Sequence, residues 1–98
     1  MMIRGTTPTH TFDIPFETSA IADYKIVYGQ RDKPLFEKSK DDCRIKGQTI
    51  QTTLTAEETY MFDCHYLGQC QIFTELTNGE RIKSEIILFS VGKCLKEV

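Results

Sequence analysis

Tryptophan is absent from this 98-residue chain, and alanine nearly so, with only Ala20, Ala22 and Ala56. Without alanine a helical bundle lacks its best helix former. Six Phe and four Tyr, among many Ile, Val, Leu and Thr, favour strands instead. The six glycines are scattered singly, so no glycine-rich loop is present to cradle a phosphate. No apolar run nears the ~20 residues of a membrane-spanning helix. The opening Met1-Met2-Ile3-Arg4-Gly5-Thr6 lacks the roughly 7–15-residue apolar centre of a signal peptide. A reducing cytoplasm is therefore the expected location. There Cys43, Cys64, Cys70 and Cys94 would remain free thiols.

Neither sign of charge dominates. Twelve basic and 14 acidic residues leave a net charge of −2. The densest basic stretch, Lys33 to Arg44, is interrupted by Glu37, Asp41 and Asp42. A solvated face is expected there, and no nucleic-acid partner. Forty per cent hydrophobic and 27% charged residues form an ordinary globular mixture, which places one domain over residues 1–98.

The strongest local pattern runs from Gly68 to Ser90 and predicts a β-hairpin. Cys70, Ile72, Thr74 and Leu76 alternate with Gln69, Gln71, Phe73 and Glu75. On the return, Ile82, Ser84, Ile86 and Leu88 alternate with Arg81, Lys83, Glu85, Ile87 and Phe89. Between the arms, Asn78-Gly79 suits a type I′ turn.

Earlier strands are expected over Thr9–Ile14, Asp23–Gln30, Leu35–Ser39, Cys43–Gly47 and Thr49–Leu54, with one helical turn near Ser19–Asp23. The remainder after Leu35 and Phe36 is polar, which predicts an edge or half-exposed strand. Thr55-Ala56-Glu57-Glu58 has the capping-box pattern and predicts a brief helix to about Phe62. About seven short strands at 8–12-residue intervals are the pattern of a β-sandwich, with a barrel as the structural alternative.

Chemistry-bearing side chains are densest at Asp63-Cys64-His65-Tyr66-Leu67-Gly68-Gln69-Cys70. Cys64, His65 and Cys70, with Cys43 or Cys94, are conceivable zinc ligands, but Cys-x5-Cys lacks the close pairing of a zinc knuckle. Cys70 also shares the apolar face of Ile72, as a buried thiol would. No metal or other cofactor is expected. A nucleophilic Cys64 or Cys94 served by His10 or His65 lacks a glycine elbow, and extended neighbours Cys64 and His65 would point apart. Glu57 and Glu58 fit a helix N-terminus without catalysis. The chain is accordingly expected not to be an enzyme.

Phe73, Ile87 and Phe89 lie off the face of Ile72 and Leu88. They form a candidate partner-binding stripe, unless a second sheet and the short helix cover both hairpin faces.

Three segments together resemble a family of small proteins encoded in phages and prophages of Gram-positive gut bacteria. They are Ile3-Arg4-Gly5-Thr6-Thr7-Pro8-Thr9-His10-Thr11-Phe12, Leu54-Thr55-Ala56-Glu57-Glu58-Thr59 and Ser90-Val91-Gly92-Lys93-Cys94-Leu95. The Arg-Gly-Thr-Thr-Pro-Thr opening is similar to that of N-terminal domains of some phage baseplate and tail-associated proteins. The resemblance implies an all-β, immunoglobulin-like antiparallel sandwich of about seven strands. It further implies a structural or assembly module of the virion, acting through protein–protein interaction without catalytic residues. Its partners would be other phage structural proteins or further copies of itself, first in the host cytoplasm and then in the virion. The alternatives are an intracellular adaptor domain without a virion role and a small Cys/His metal-binding protein.

Overall fold

Period-two burial makes two long strands the centre of the molecule. In the computed structural model, which describes residues 2–92, β3 (Ile21–Gln30) turns Tyr24, Ile26 and Tyr28 inward. Its partner β7 (Gly68–Leu76) turns Cys70, Ile72 and Thr74 inward. They pair antiparallel, with Ile26 opposite Ile72 and Tyr28 opposite Cys70. The two inner rows therefore share one face.

Around them stand β4 (Lys33–Ser39) on one side and β8 (Arg81–Lys83) and β9 (Ile87–Phe89) on the other. The resulting five-stranded sheet runs β4-β3-β7-β8, with β9 further along β7. A second sheet joins β2 (Thr9–Asp13), β6 (Thr49–Thr53) and β5 (Cys43–Lys46) in the order β2-β6-β5. Ile14, Ile50 and Leu54 from this second layer bury against Tyr24, Ile26, Tyr28 and Ile72. The molecule is thus an all-β sandwich. Outside both sheets, β1 (Met2–Ile3) and β10 (Val91–Gly92) pair in parallel.

Ten strands form among the described residues, where seven were expected. The two terminal ones are short additions, and the outgoing arm of the hairpin divides into β8 and β9. Residues 70 and 73 on β7 are three apart, yet their partners Ile87 and Lys83 are four apart. One extra residue on the outgoing arm is a β-bulge, and it exchanges the two faces beyond it. Ser84 occupies the break. Its Oγ accepts the Ile72 amide at 2.9 Å, and its own amide donates to the Ile72 carbonyl at 2.9 Å.

The turns also depart from expectation. Of Asn78 and Gly79, only Gly79 has positive φ (90°). Gly79 N–H donates to the Leu76 carbonyl, and Leu76 N–H to that of Glu80. This is a three-residue loop ending in a glycine bulge, not a type I′ turn. Positive φ at both central positions instead occurs between β3 and β4, at Arg31 (54°) and Asp32 (62°). Each such residue costs on the order of 1 kcal/mol relative to the right-handed region.

The capping box forms as expected on α1 (Ala56–Tyr60). Thr55 Oγ1 accepts the Glu58 amide at 3.1 Å, and Glu58 Oε1 accepts the Thr55 amide at 2.8 Å. What the pattern did not show is Lys38, expected on a half-exposed strand but only 7% exposed. Its ammonium lies 2.6 Å from Glu58 Oε1. The ion pair therefore ties edge strand β4 to the helix start. Burial pushes the Glu58 pKa up, but the hydrogen bonds from Lys38 and the Thr55 amide outweigh it. The carboxyl consequently titrates below the usual glutamate range.

Replacing Phe89 with Ala should cost on the order of 3 kcal/mol, because its ring packs among Tyr28, Phe62 and His10. Phe73→Ala should cost about 1 kcal/mol, chiefly from lost contacts with two lysines. Urea unfolding of the two variants checks this ordering. A second expectation concerns His10, whose pKa burial lowers below 6.5. The unfolded chain then binds the proton more readily, so stability is full above pH 6.5 and falls as pH drops through it. Unfolding free energies measured between pH 7.5 and pH 5.5 should show this fall in the native protein and lose it in His10→Asn.

Candidate functional site

The segment 63–67 is a loop, and one buried side chain fastens it. Gln30, 7% exposed at the end of β3, donates to the Asp63 and Tyr66 carbonyls at 2.8 and 3.1 Å. It also accepts the Asp63 amide at 2.7 Å. A buried amide side chain satisfied in this way fixes its loop firmly. The turn curls Cys64 and His65 toward each other, where extended geometry would have separated them. Cys64 Sγ lies 3.9 Å from His65 Nδ1, and Asp63 Oδ1 lies 2.7 Å from the same nitrogen.

Asp63, Cys64 and His65 keep their ligand atoms within 4.8 Å of one another. Cys70 does not belong to this group. It is 3% exposed on the inner face of β7, and burial raises its thiol pKa to about 11. Cys43 is half-buried on β5, also with a raised pKa, mainly from burial. Cys94 lies outside the described residues. Asp63 spends Oδ1 on the His65 amide at 2.9 Å and on the imidazole, and these bonds lower its pKa.

The chemistry available to this loop is limited by one atom. A Cys-His-Asp relay needs the acid on one ring nitrogen and the nucleophile on the other. Here both approach Nδ1. His10, the alternative base, sits between the sheets with Nδ1 2.6 Å from the Tyr28 hydroxyl.

The candidate stripe Phe73, Ile87 and Phe89 does not stay together. Phe73 pairs with Lys83, whereas Ile87 pairs with Cys70 and Phe89 with Gly68, on the inner face of β7. The bulge at Ser84 is the cause. Phe89 covers Gly68 so closely that a Cβ there would lie 2.2 Å from the ring, which explains the glycine.

Phe73 remains on the outer face. The ammonium groups of Lys25 and Lys83 each stand 5.5 Å from its ring centroid. Leu88, opposite Gln69, takes the place on that face that an unbroken ladder would give to Ile87. Leu88 is 56% exposed, Ile86 50% and Ile87 39%. A shallow groove of about 280 Å³ runs past Phe73 between Ile86, Gln71, Val27 and Pro34. Leu88 and Ile86 were missed because an unbroken alternation assigned them inward. The signal available was Ser84-Glu85, two polar residues interrupting the second arm.

No protein-family model matches the chain, and no curated protein matches it.

The thiols should separate by reactivity. In a Cys94→Ser background, iodoacetamide followed by peptide mass mapping should label Cys64 well before Cys70. Cys70 should become reactive only in denaturant.

Proposed function

We propose that this chain is a non-enzymatic structural or assembly module that works by protein–protein contact through the β9 side of its five-stranded sheet. The observation that carries this reading is the exposed run Ile86-Ile87-Leu88 at the edge of that sheet, beside the ring of Phe73. Three consecutive large apolar side chains at a sheet edge are a feature that proteins otherwise suppress with charge or proline. They suit strand addition or packing of an apolar face. β9 pairs with β7 on one side, and no strand among the described residues pairs with its other side.

The virion role and the immunoglobulin-like variety of the sandwich belong to the same proposal. They are supported by the resemblance of three sequence segments to phage-encoded proteins, and those segments meet in space. Met2 and Arg4 amides donate to the Ser90 and Gly92 carbonyls, each at 2.9 Å. The Gly5 amide donates to Thr59 Oγ1 at 2.8 Å. Thr59 Oγ1 in turn lies within hydrogen-bond reach of the Thr6 carbonyl at 3.2 Å. The resemblance thus follows one structural joint, where the opening, the helix and the final strand are fastened together.

The double variant Ile86→Ser/Leu88→Ser should retain the native circular dichroism spectrum and unfolding midpoint. It should lose either self-association in concentrated size-exclusion runs or co-purification with tail and capsid proteins encoded beside its gene. Retention of every such contact by the variant would reject β9 as the docking strand. A gene neighbourhood of metabolic enzymes would reject the virion role.

A further inference from the structure

The hairpin turn at the tip of β3 and β4 is built from residues that fit it poorly. Its central positions, Arg31 and Asp32, both have positive φ, a geometry for which Asn-Gly is the ordinary choice. The same chain places glycine at positive φ in its β5–β6 and β7–β8 turns, at Gly47 and Gly79. Non-glycine strain of this kind persists where surrounding structure enforces it and where the side chains serve a purpose.

Both conditions are visible at the tip. The Asp32 amide donates to Gln69 Oε1 at 2.9 Å, and Gln69 Nε2 donates to Asp32 Oδ1 at 3.1 Å. The Arg31 guanidinium lies 4.6 Å over the ring of Tyr66, on the loop that buried Gln30 fastens. Asp32 and Asp63 have carboxylate oxygens engaged by Gln69 and His65. Arg31 and Lys33 form no ion pair among the described residues. A groove of about 260 Å³ is lined here by these two cations, Leu35 and Tyr66, with Gln30 and the His65-bound Asp63 completing its wall.

The geometry points to a docking site for an acidic segment of a partner protein, in which carboxylates neighbour an apolar side chain. The carboxylates pair with the Arg31 guanidinium and Lys33, and the apolar group lies against Leu35 and Tyr66. Stacking on Tyr66 holds the guanidinium in place, so less freedom is lost on binding. Arginine beside tyrosine is also the composition that dominates binding energy at protein interfaces. The site shares with the reading above only the premise of protein contact, since it lies at the β3–β4 tip and not on β9.

The test is a titration of the ¹⁵N-labelled full chain with the acetylated, amidated peptide Glu-Leu-Glu-Leu-Glu. Lys-Leu-Lys-Leu-Lys serves as its counterpart. Amide shifts should concentrate at Arg31–Lys33 and Asp63–Tyr66 with the acidic peptide alone. Arg31→Asn/Lys33→Gln should weaken binding about tenfold, with the remaining spectrum unchanged because Asn accepts positive φ. Ile86→Ser/Leu88→Ser should bind the peptide as the native chain does. The proposal is overturned by absent shifts, by equal response to the basic peptide, by insensitivity to the Arg31/Lys33 variant, or by loss in the Ile86/Leu88 variant. Concentration-dependent shifts at the same residues without peptide would also overturn it, assigning the tip to contacts between copies.

Discussion

Burial of one tyrosine holds the sandwich together. Tyr28 is fully buried, and its ring meets Phe36 from β4, Phe62 after α1, Phe89 from β9 and His10 from β2. A phenol in such a place must find a partner for its hydroxyl, because an unpaired buried polar group is costly. His10 Nδ1 provides it at 2.6 Å. The bond crosses from one sheet to the other, so the polar need of one side chain fixes the relative position of both layers. Phe62 and Phe36 add edge-on contacts that extend the arrangement toward the helix.

The N-terminal segment depends on a second buried polar residue. Thr59 is fully buried on α1 and accepts the Gly5 amide, while its hydroxyl faces the Thr6 and Ala56 carbonyls. Arg4 reaches the Tyr60 carbonyl at 3.2 Å and lies over the Tyr60 ring. The helix is too short to persist alone. It is held by Thr55 and Glu58 at its start, Lys38 from β4 and the N-terminal segment against its last turn. A brief capped turn thereby becomes a connector between β4, the first residues and the core.

Much of the fold was legible from local patterns. Alternation located β2, β3, β5, β6 and β7, because each presents one face to the core. The capping box located α1, because Thr55 and Glu58 answer each other within four residues. The errors lie where distant residues decide the outcome. Lys38 reads as surface until Glu58 arrives from another element. Asn78-Gly79 reads as the tight turn, yet a three-residue loop forms there, and a two-residue turn with positive φ at both centres falls at Arg31-Asp32. Of the candidate stripe, Phe73 faces outward, while Phe89 belongs to the core. Cys64 and His65 were recognised as neighbours in sequence, but their approach through one nitrogen follows from the Gln30-bound loop. No local pattern in that segment encodes Gln30's contribution.

The extra residue at Ser84 makes the surface chemistry of β9 a matter of parity. Side-chain identity beyond the bulge stays the same whichever face is chosen, and the bulge selects it. Removing one residue between Lys83 and Ile87 would leave three steps on each arm, so Ile87, Leu88 and Phe89 would meet Cys70, Gln69 and Gly68 as they do now, without a bulge. A residue count that would put Phe89 in solvent on a regular ladder is thus absorbed at one position, and the aromatic core keeps its ring because the ladder steps over Ser84.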